Sequence, residues 1–441
     1  MSIRKPCWLS ALPIALLLNA SVLQANEPAP EVPDNARLPL EELRLFTQVF
    51  EQIRQTYVEP IDDKTLLEHA IAGLLTGLDP HSVYLDEQAF ANLQENTNGE
   101  FSGIGIEVDM EDDQVLVIAP IDNSPAKKAG IKAGDRIIKI DEHLVKGMTQ
   151  AQAIERMRGP IGSMVSLTIL RSGETAPLEI KLARGTIKTN SVSSRVLEPG
   201  YGYIRISQFQ LDTGTQFRNN LISLMHTEKP LKGLLLDLRN NPGGLLPAAI
   251  DVADTLLDGG IVTYTKGRLS SSNHEYAASP GDITSNIPIV VIINGGSASA
   301  SEIVAGALQD HQRAVILGTQ SFGKGSVQTV MPISETQAIK LTTARYFTPA
   351  GRSIQAQGIK PDILVERAQI TAVEPSFGIR EENLIGHLEN GDPSSANTPS
   401  KLDFSADNQL FEGLNVLKGA HILSRKETKA DQIGDLGHKI N

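Results

Sequence analysis

The stretch Asn294-Gly295-Gly296-Ser297-Ala298-Ser299-Ala300-Ser301-Glu302 decides the fold, because it separates two different hydrophobic patterns. The preceding residues 289–293 are all Val or Ile, which is typical of a short buried strand. Apolar residues then recur at helical spacing: Ile303, Val304, Ala307 and Leu308. The three serines are therefore predicted at a strand-to-helix turn. A helix N-terminus there would offer unpaired N–H groups and partial positive charge to an oxyanion.

A lysine lies in a glycine loop a short distance further on. The sequence Gly318-Thr319-Gln320-Ser321-Phe322-Gly323-Lys324-Gly325 follows a second predicted strand, residues 314–317. A serine at a helix start and a lysine in such a loop indicate a nucleophile and its base. The residues alone leave Ser297, Ser299 and Ser301 open as the nucleophile.

The lysine loop also contains G-x-x-x-x-G-K, the body of a phosphate-binding P-loop. That motif needs Ser or Thr next, whereas here Gly325 follows, and residues 326–330 alternate like a strand. The sequence therefore favours a base. A lysine base must be neutral, which requires a desolvated site. We expect Phe322 and the glycines to exclude water.

Composition limits the classes of function. The chain has 441 residues, 40% of them hydrophobic, which suggests two or three domains. Its formal net charge of -12 argues against a nucleic-acid partner. The single cysteine, Cys7, lies in residues 1–25, which are expected to be removed on export, so neither a disulfide framework nor cysteine catalysis is expected. No His and carboxylate cluster has metal-ligand spacing, so no metal or other cofactor is expected.

The first residues are typical of export. Arg4 and Lys5 precede the apolar residues 9–18, and small and polar residues follow as far as Ala25. Residues 1–25 are therefore predicted to be a signal peptide that directs the protein to the periplasm. An uncleaved segment that keeps the protein at the membrane is the alternative. Residues 26–37 are acidic and proline-rich, as in an extended linker.

Residues 38–98 are predicted to form an N-terminal helical region. One helix is indicated by apolar residues at steps of three and four: Leu43, Phe46, Phe50, Ile53 and Tyr57. A second apolar pattern covers residues 66–75. His81 follows in a polar loop and has no recognisable partner, so we expect it to be incidental.

Residues 99–185 resemble a PDZ domain. The run Phe101-Ser102-Gly103-Ile104-Gly105-Ile106-Glu107-Val108 resembles its carboxylate-binding loop and strand, and residues 124–137 resemble its most recognisable stretch. The resemblance implies that a peptide pairs with the strand edge while loop N–H groups hold its terminal carboxylate. The expected ligands are free C-termini with apolar ends. The predicted binding residues are Gly103, Ile104, Gly105, Ile106, Ile154 and Met157.

Residues 186–366 alternate between strands and helices, which indicates an α/β core. The sequence Asp237-Leu238-Arg239-Asn240-Asn241-Pro242-Gly243-Gly244-Leu245 follows one predicted strand, and its glycines allow close approach of the backbone to a ligand. In the C-terminal region, residues 367–441, one helical face carries Leu410, Leu414 and Leu417. That narrow stripe predicts a helix docked on its own core, with a subunit contact as the alternative.

Three motifs together resemble the carboxyl-terminal processing peptidases, also called tail-specific proteases. They are S-A-S-A-S-E at residues 297–302, F-G-K-G at 322–325 with Gln328, and D-L-R-N-N-P-G-G-L at 237–245. The resemblance covers nearly the whole chain from about residue 40. It implies that Ser299 is the nucleophile, Lys324 the base and Gln328 the residue that orients the amine. It also implies oxyanion donors at Ala300 and at Gly243 or Gly244, although these glycines can also serve a plain turn.

The same resemblance implies an architecture and partners. The fold would be a crotonase-like (ClpP/crotonase-type) core with an inserted PDZ domain and helical regions at both ends. An N-terminal helix would pair with another subunit in a homo-oligomer, and an adaptor protein could activate the enzyme. The expected function is a serine endopeptidase that recognises the C-terminal tails of substrate proteins.

Other functions remain to be weighed against that expectation. The main alternative is a catalytically inactive PDZ scaffold that binds protein C-termini. A chymotrypsin-like PDZ protease is disfavoured because the chain contains no G-N-S-G-G. An acyl-CoA enzyme of the crotonase fold is disfavoured by the PDZ-like segment and the export signal.

Overall fold

The computed structural model describes residues 38–111, 113–121, 123–369, 385, 388 and 407–437, with side chains in the last range described as far as residue 423. The chain divides into two compact units, residues 1–70 and 71–441. The predicted signal peptide and linker, residues 1–37, lie outside the described residues. Within the part that is described, no helix combines the length and apolar content needed to cross a membrane.

The first unit contains helix α1 (Leu40–Thr56) and the beginning of helix α2 (Asp63–Thr76). Helix α1 carries the predicted apolar residues at steps of three and four. It ends where Tyr57 adopts extended backbone angles, shortly before Pro60. The predicted helix in this region is confirmed.

The second unit continues from α2 into strand β1 (Val83–Leu85) and helix α3 (Glu87–Asn98). The Asp86 carboxylate caps α3 by accepting a hydrogen bond from the N–H of Ala89, 2.8 Å away. The predicted helical region therefore also contains a strand, which the sequence analysis missed. Three residues give too short a pattern to indicate a strand, and β1 forms because a distant strand is available to pair with it.

The PDZ-like module is an antiparallel sheet. Its strands are β3 (Ile106–Glu111), β4 (Gln114–Pro120), β5 (Arg136–Ile140), β6 (His143–Leu144), β7 (Met164–Leu170) and β8 (Leu178–Ala183). They lie in the order β3-β4-β5-β7-β8, with β6 beside β5. Helices α4 (Pro125–Lys128) and α5 (Gln150–Met157) pack against this sheet. In the described structure β3 pairs only with β4, so its other edge is open.

The chain enters and leaves this module side by side. Strand β2 (Glu100–Gly103) pairs in antiparallel fashion with strand β9 (Gly185–Lys188). Two neighbouring strands at the base are what an inserted module requires, because the chain must return to the core where it left.

The core is organised around a mostly parallel sheet. Its strands are β10 (Val192–Glu198), β11 (Tyr201–Ile206), β12 (Gly233–Asp237), β15 (Ile289–Ile293), β16 (Val315–Gly318) and β19 (Ile363–Leu364), in that spatial order. Only β10 runs antiparallel to its neighbour. Strands β12 and β15 are buried throughout, which explains their uninterrupted apolar runs.

Helices cover both faces of that sheet. Helices α6 (Thr213–Thr227), α7 (Leu246–Leu256) and α8 (Ala300–Asp310) pack on the face that contains Leu234 and Leu236. Helix α9 (Asn408–Gly437) covers the opposite face, which contains Leu235. Leu410, Leu414 and Leu417 of α9 are buried there. The prediction that this helix docks on its own core is confirmed.

A second sheet lies beside the lysine loop. It contains β1 with strands β13 (Gly260–Gly267), β14 (Glu275–Ala278), β17 (Ser326–Pro332) and β18 (Ala338–Phe347). Strand β18 is central, since it pairs with β1, β13 and β17. Strand β17 starts two residues after Lys324, so this sheet fixes one end of the lysine loop.

Candidate active site

The structure separates the three candidate serines. Ser297 and Ser301 are fully buried, and their hydroxyls donate to the carbonyls of Leu238 (2.8 Å) and Asn241 (3.0 Å). Ser299 is only half-buried and has a positive φ of 55° at the start of α8. A strained residue on a tight strand-to-helix turn exposes its side chain above the helix N-terminus. Of the three, Ser299 is thus the one that a substrate can reach.

A buried carboxylate joins the serine to the lysine loop. Glu302 has no exposed surface, and its Oε2 accepts hydrogen bonds from the backbone N–H groups of Ser299 (2.7 Å) and Lys324 (2.9 Å). Its Oε1 accepts from the Ser321 hydroxyl and the Gly323 N–H, both at 2.6 Å. Two segments of backbone 25 positions apart are therefore fixed on one side chain. Sequence analysis missed Glu302, although its position three residues after Ser299 is that of a capping box.

The Lys324 amine is in an environment that favours its neutral form. Burial is the main cause that lowers its pKa below the ordinary lysine value, and the charge of Lys340 lowers it further. The carboxylates of Asp79 and Glu302 act in the opposite direction. Within the described residues, no hydrogen bond or ion pair involves the Nζ atom of Lys324. A lysine in such a site can act as a base.

The shielding of this amine does not come from Phe322. The expectation that Phe322 excludes water is wrong, because its side chain is 63% exposed. The loop instead packs against residues 354–358, where Gly323 accepts a hydrogen bond from the Ala356 N–H, 2.9 Å away. A Cβ on Gly323 would lie 3.1 Å from the Gly358 nitrogen, so only glycine permits this close approach.

Gln328 lies in a hydroxyl network beside the lysine loop. Its Nε2 donates to the Ser326 hydroxyl (2.8 Å) and to Thr342 Oγ1 (3.4 Å). Thr342 in turn donates to the Asp79 carboxylate at 3.1 Å, and the backbone N–H of Thr342 donates to Ser82 Oγ at 3.1 Å. The loop before β1 therefore forms part of the wall around the candidate site.

His81, which was expected from the sequence to be incidental, lies in that same loop. Burial lowers the pKa of His81, and the charge of Lys324 lowers it further. Its backbone N–H donates to the Asp79 carboxylate at 2.8 Å. His81 is therefore within electrostatic range of Lys324, and the expectation that it has no catalytic role stays a prediction.

One of the two predicted oxyanion glycines, Gly243, lies directly against Ser299. A Cβ on Gly243 would lie 2.8 Å from Ser299 Cβ and 3.1 Å from the Ala300 nitrogen. The Gly243 N–H already donates to Asn241 Oδ1, 2.9 Å away. In the described structure, the N–H groups of Gly244 and Ala300 have no hydrogen-bond acceptor. The N–H of Ala300, next to Ser299, and that of Gly244, next to Gly243 in the chain, are thus unpaired, whereas the N–H of Gly243 is not.

The predicted PDZ residues line one groove between β3 and α5. Its volume is about 290 Å³, and its walls include Gly103, Ile104, Gly105, Ile106, Ile154 and Met157. At the open edge of β3, the Val108 carbonyl accepts a hydrogen bond from the Gln150 side chain at 2.7 Å. A peptide that adds to this edge must displace Gln150 to reach that carbonyl.

Comparisons with known families follow the same division of the chain. A model of peptidase family S41 matches residues 200–365, and a PDZ domain model matches residues 102–182. A model described as the N-terminal domain of the activating protease CtpB matches residues 17–89. The predicted PDZ domain is confirmed by its family match and by the antiparallel module above.

Several relatives match most of the chain. A carboxy-terminal-processing protease of Bartonella bacilliformis is 46% identical over 398 residues, which cover 88% of this chain and 90% of that protein. A carboxyl-terminal-processing protease of Synechocystis is 37% identical, over 82% of this chain and 89% of that protein. The carboxy-terminal processing protease CtpA of Bacillus subtilis is 35% identical, over 73% of this chain and 68% of that protein.

The resemblance identified from the three motifs is confirmed by these matches. They extend over the PDZ domain and the core, and the identity is well above the level at which only a fold is shared. The chain belongs to the carboxy-terminal processing proteases, serine-type peptidases of family S41, and carries a PDZ domain.

Proposed function

We propose that the protein is a periplasmic endopeptidase that binds the C-terminal tails of other proteins in its PDZ groove and cleaves them with Ser299 and Lys324. The observation that carries this proposal is the Glu302 carboxylate, which accepts hydrogen bonds from the backbones of both residues. A shared partner for the backbones of an accessible serine and a desolvated lysine supports a joint role for their side chains.

The chemistry is acyl transfer. The neutral Lys324 amine takes the proton of the Ser299 hydroxyl as its Oγ attacks the scissile carbonyl carbon. The ammonium then gives that proton to the leaving amine, and the peptide bond breaks to leave an ester on Ser299. Water attacks this ester with Lys324 again as the base, which releases the new C-terminus and restores the serine.

The oxyanion formed in each step needs two donors. We assign them to the N–H groups of Ala300 and Gly244, since both are unpaired in the described structure. Gly243 would have to leave Asn241 before it could contribute. We assign Gln328 to orienting the amine through Oε1, because its Nε2 is already engaged with two hydroxyls.

The direct test of this function is cleavage by the full-length protein of an unstructured substrate with an apolar free C-terminus, followed by mass spectrometry. The proposal expects fragments that disappear in Ser299→Ala. Binding of the same substrate without any cleavage, in the presence and absence of candidate activators, would favour the PDZ scaffold instead.

The PDZ groove is expected to bind a free, apolar C-terminus. Ile154→Glu would put a charge in the pocket and weaken binding of such a peptide about tenfold or more, because burial of one apolar side chain contributes roughly 1.5–3 kcal/mol. Fluorescence anisotropy of a labelled peptide measures this effect. Met164→Glu is the matched control, because Met164 belongs to the same domain, is 60% exposed and lies outside the groove. Equal binding by all three proteins, or by a C-terminally amidated peptide, would contradict the assignment.

Location and assembly are proposed on separate grounds. Arg4, Lys5 and the apolar residues 9–18 support export to the periplasm, with retention at the membrane if the segment is not cleaved. The match to the N-terminal domain of an activating protease supports a homo-oligomer and an activating adaptor protein. The parallel sheet with helices on both faces supports a crotonase-like core.

A further inference from the structure

An arginine two residues after strand β12 connects the C-terminal helix to the core. Arg239 donates from Nη1 and Nη2 to the two carboxylate oxygens of Asp407, each at 2.8 Å. The same guanidinium donates to Asp237 at 2.7 Å and to the side-chain oxygen of Gln409 at 3.1 Å. Asp407 immediately precedes α9, and its Oδ1 also accepts the Leu410 N–H at 3.1 Å. Arg239 therefore links the start of α9 to the residues that follow β12.

This contact is partly sheltered from water. The side chain of Arg239 is 13% exposed and that of Asp407 is 35% exposed, whereas Asp237 is fully buried. Burial alone would lower the pKa of Arg239, but the hydrogen bonds to Asp407 and Asp237 outweigh it and raise the pKa. Burial alone would raise the pKa of Asp407, but the hydrogen bonds from Arg239 hold it below its ordinary value. Both side chains are thus charged. A bidentate ion pair of this kind fixes the orientation of the guanidinium as well as its distance from the carboxylate.

The residues that follow Arg239 build the oxyanion loop, which we define as residues 240–244. The Asn241 carbonyl accepts hydrogen bonds from the Ala298 N–H and the Ser301 hydroxyl, both at 3.0 Å. The Asn240 N–H donates to Asn294 Oδ1 at 2.9 Å. A shift in the oxyanion loop would therefore be transmitted to both sides of Ser299.

We propose that Asp407 is a positioning residue for catalysis: it holds Arg239, and through Arg239 it sets the distance between the oxyanion loop and Ser299. This inference rests on the proposed function. Apolar contacts of Leu410, Leu414 and Leu417 keep α9 on the sheet, and the side chains of Asn408 and Gln409 hold its first turn to the backbone of residues 365–368. Of these contacts at the start of α9, the one with Arg239 reaches the residues beside the oxyanion loop. Loss of the Asp407 charge frees one side of the guanidinium, and Arg239 can then turn about its remaining contacts with Asp237. A misplacement of about 1 Å at a catalytic site can reduce the rate about a hundredfold.

The test compares two contacts that both attach α9 to the core. Asp407→Asn keeps the shape of the side chain and removes its charge. Lys418→Met breaks the ion pair between Lys418 and Glu198 (2.6 Å). That pair attaches α9 to the end of strand β10 and not to the residues beside the oxyanion loop. For Asp407→Asn we expect kcat to fall about tenfold, with KM changed less than twofold. The rate at which a fluorophosphonate labels Ser299 falls by the same factor. Lys418→Met stays within twofold of the wild type in all three quantities.

Each outcome decides the proposal. An unchanged kcat in Asp407→Asn, or equal losses in Asp407→Asn and Lys418→Met, overturns it. If circular dichroism shows that Asp407→Asn does not fold, Gln409→Met replaces it, with a smaller loss of kcat expected and an unchanged kcat overturning the proposal. Ser299→Ala is measured alongside: if it cleaves like the wild type, the proposed function fails. If Ser299→Ala is inactive while Asp407→Asn is fully active, only this inference fails.

Discussion

Ser299→Ala is expected to lower kcat by about 10⁴-fold or more, while peptide binding by the PDZ domain stays unchanged. The loss is large because removal of the nucleophile leaves only the oxyanion donors and substrate binding to assist hydrolysis, and comparable losses occur when a serine nucleophile is removed from other proteases. Cleavage is measured with an unstructured substrate, and binding with a labelled C-terminal peptide.

Ser297→Ala and Ser301→Ala are the matched controls for this prediction. Each removes a buried hydrogen bond to a backbone carbonyl and should lower the free energy of unfolding by about 1–3 kcal/mol. Both variants should nevertheless react with a fluorophosphonate at Ser299, with slower cleavage in Ser301→Ala because its hydroxyl also holds the oxyanion loop. An active Ser299→Ala, or loss of labelling only in one of the two controls, would assign the nucleophile elsewhere.

Lys324→Ala is expected to lower kcat by roughly 10²–10⁴-fold, the usual contribution of a general base. Lys324→Arg should not restore activity, because a guanidinium stays protonated and cannot accept the serine proton. Stopped assays with a large excess of enzyme are needed to measure such slow rates. The fold should be unaffected, since the main-chain contact with Glu302 remains.

Lys340→Met is the control for the role of Lys324 as a base. Its ammonium lowers the pKa of Lys324, so its removal should raise that pKa and move the acid limb of the kcat/KM profile to higher pH. Activity at high pH should remain. A Lys324→Arg variant as active as the wild type, or a Lys340→Met profile identical to that of the wild type, would mean that Lys324 does not supply the base.

The local patterns in the sequence predicted the elements that carry the site. The Val and Ile run at residues 289–293 and the helical spacing after Ser299 correspond to β15 and α8, because a buried parallel strand and an amphipathic helix have distinctive periods. The PDZ groove also follows the expected residues. In these segments the hydrophobic pattern and the secondary structure both depend on residues that are close together in the sequence.

Contacts between distant parts of the chain could not be predicted in this way. Nothing near Glu302 in the sequence indicates that its carboxylate binds the lysine loop, and nothing near Asp407 indicates Arg239, 168 positions away. Which of the three serines is the nucleophile also depends on the backbone carbonyls that surround each hydroxyl, and the local sequence does not show these. The family resemblance pointed to Ser299, and the burial of Ser297 and Ser301 favours the same residue. The sequence also did not show that the glycine loop packs against the backbone of residues 354–358 while Phe322 stays exposed.

The central claim is that an uncharged Lys324 activates Ser299, and the pH dependence of Ser299 labelling tests it most directly. A fluorophosphonate is reacted with the wild-type protein across a range of pH, and the modified residue is identified by mass spectrometry. The account predicts modification of Ser299, with a rate that rises through a midpoint below about 10.4, the ordinary lysine value, because burial lowers the pKa of Lys324. Modification of another residue, or a midpoint at or above the ordinary lysine value, would contradict it.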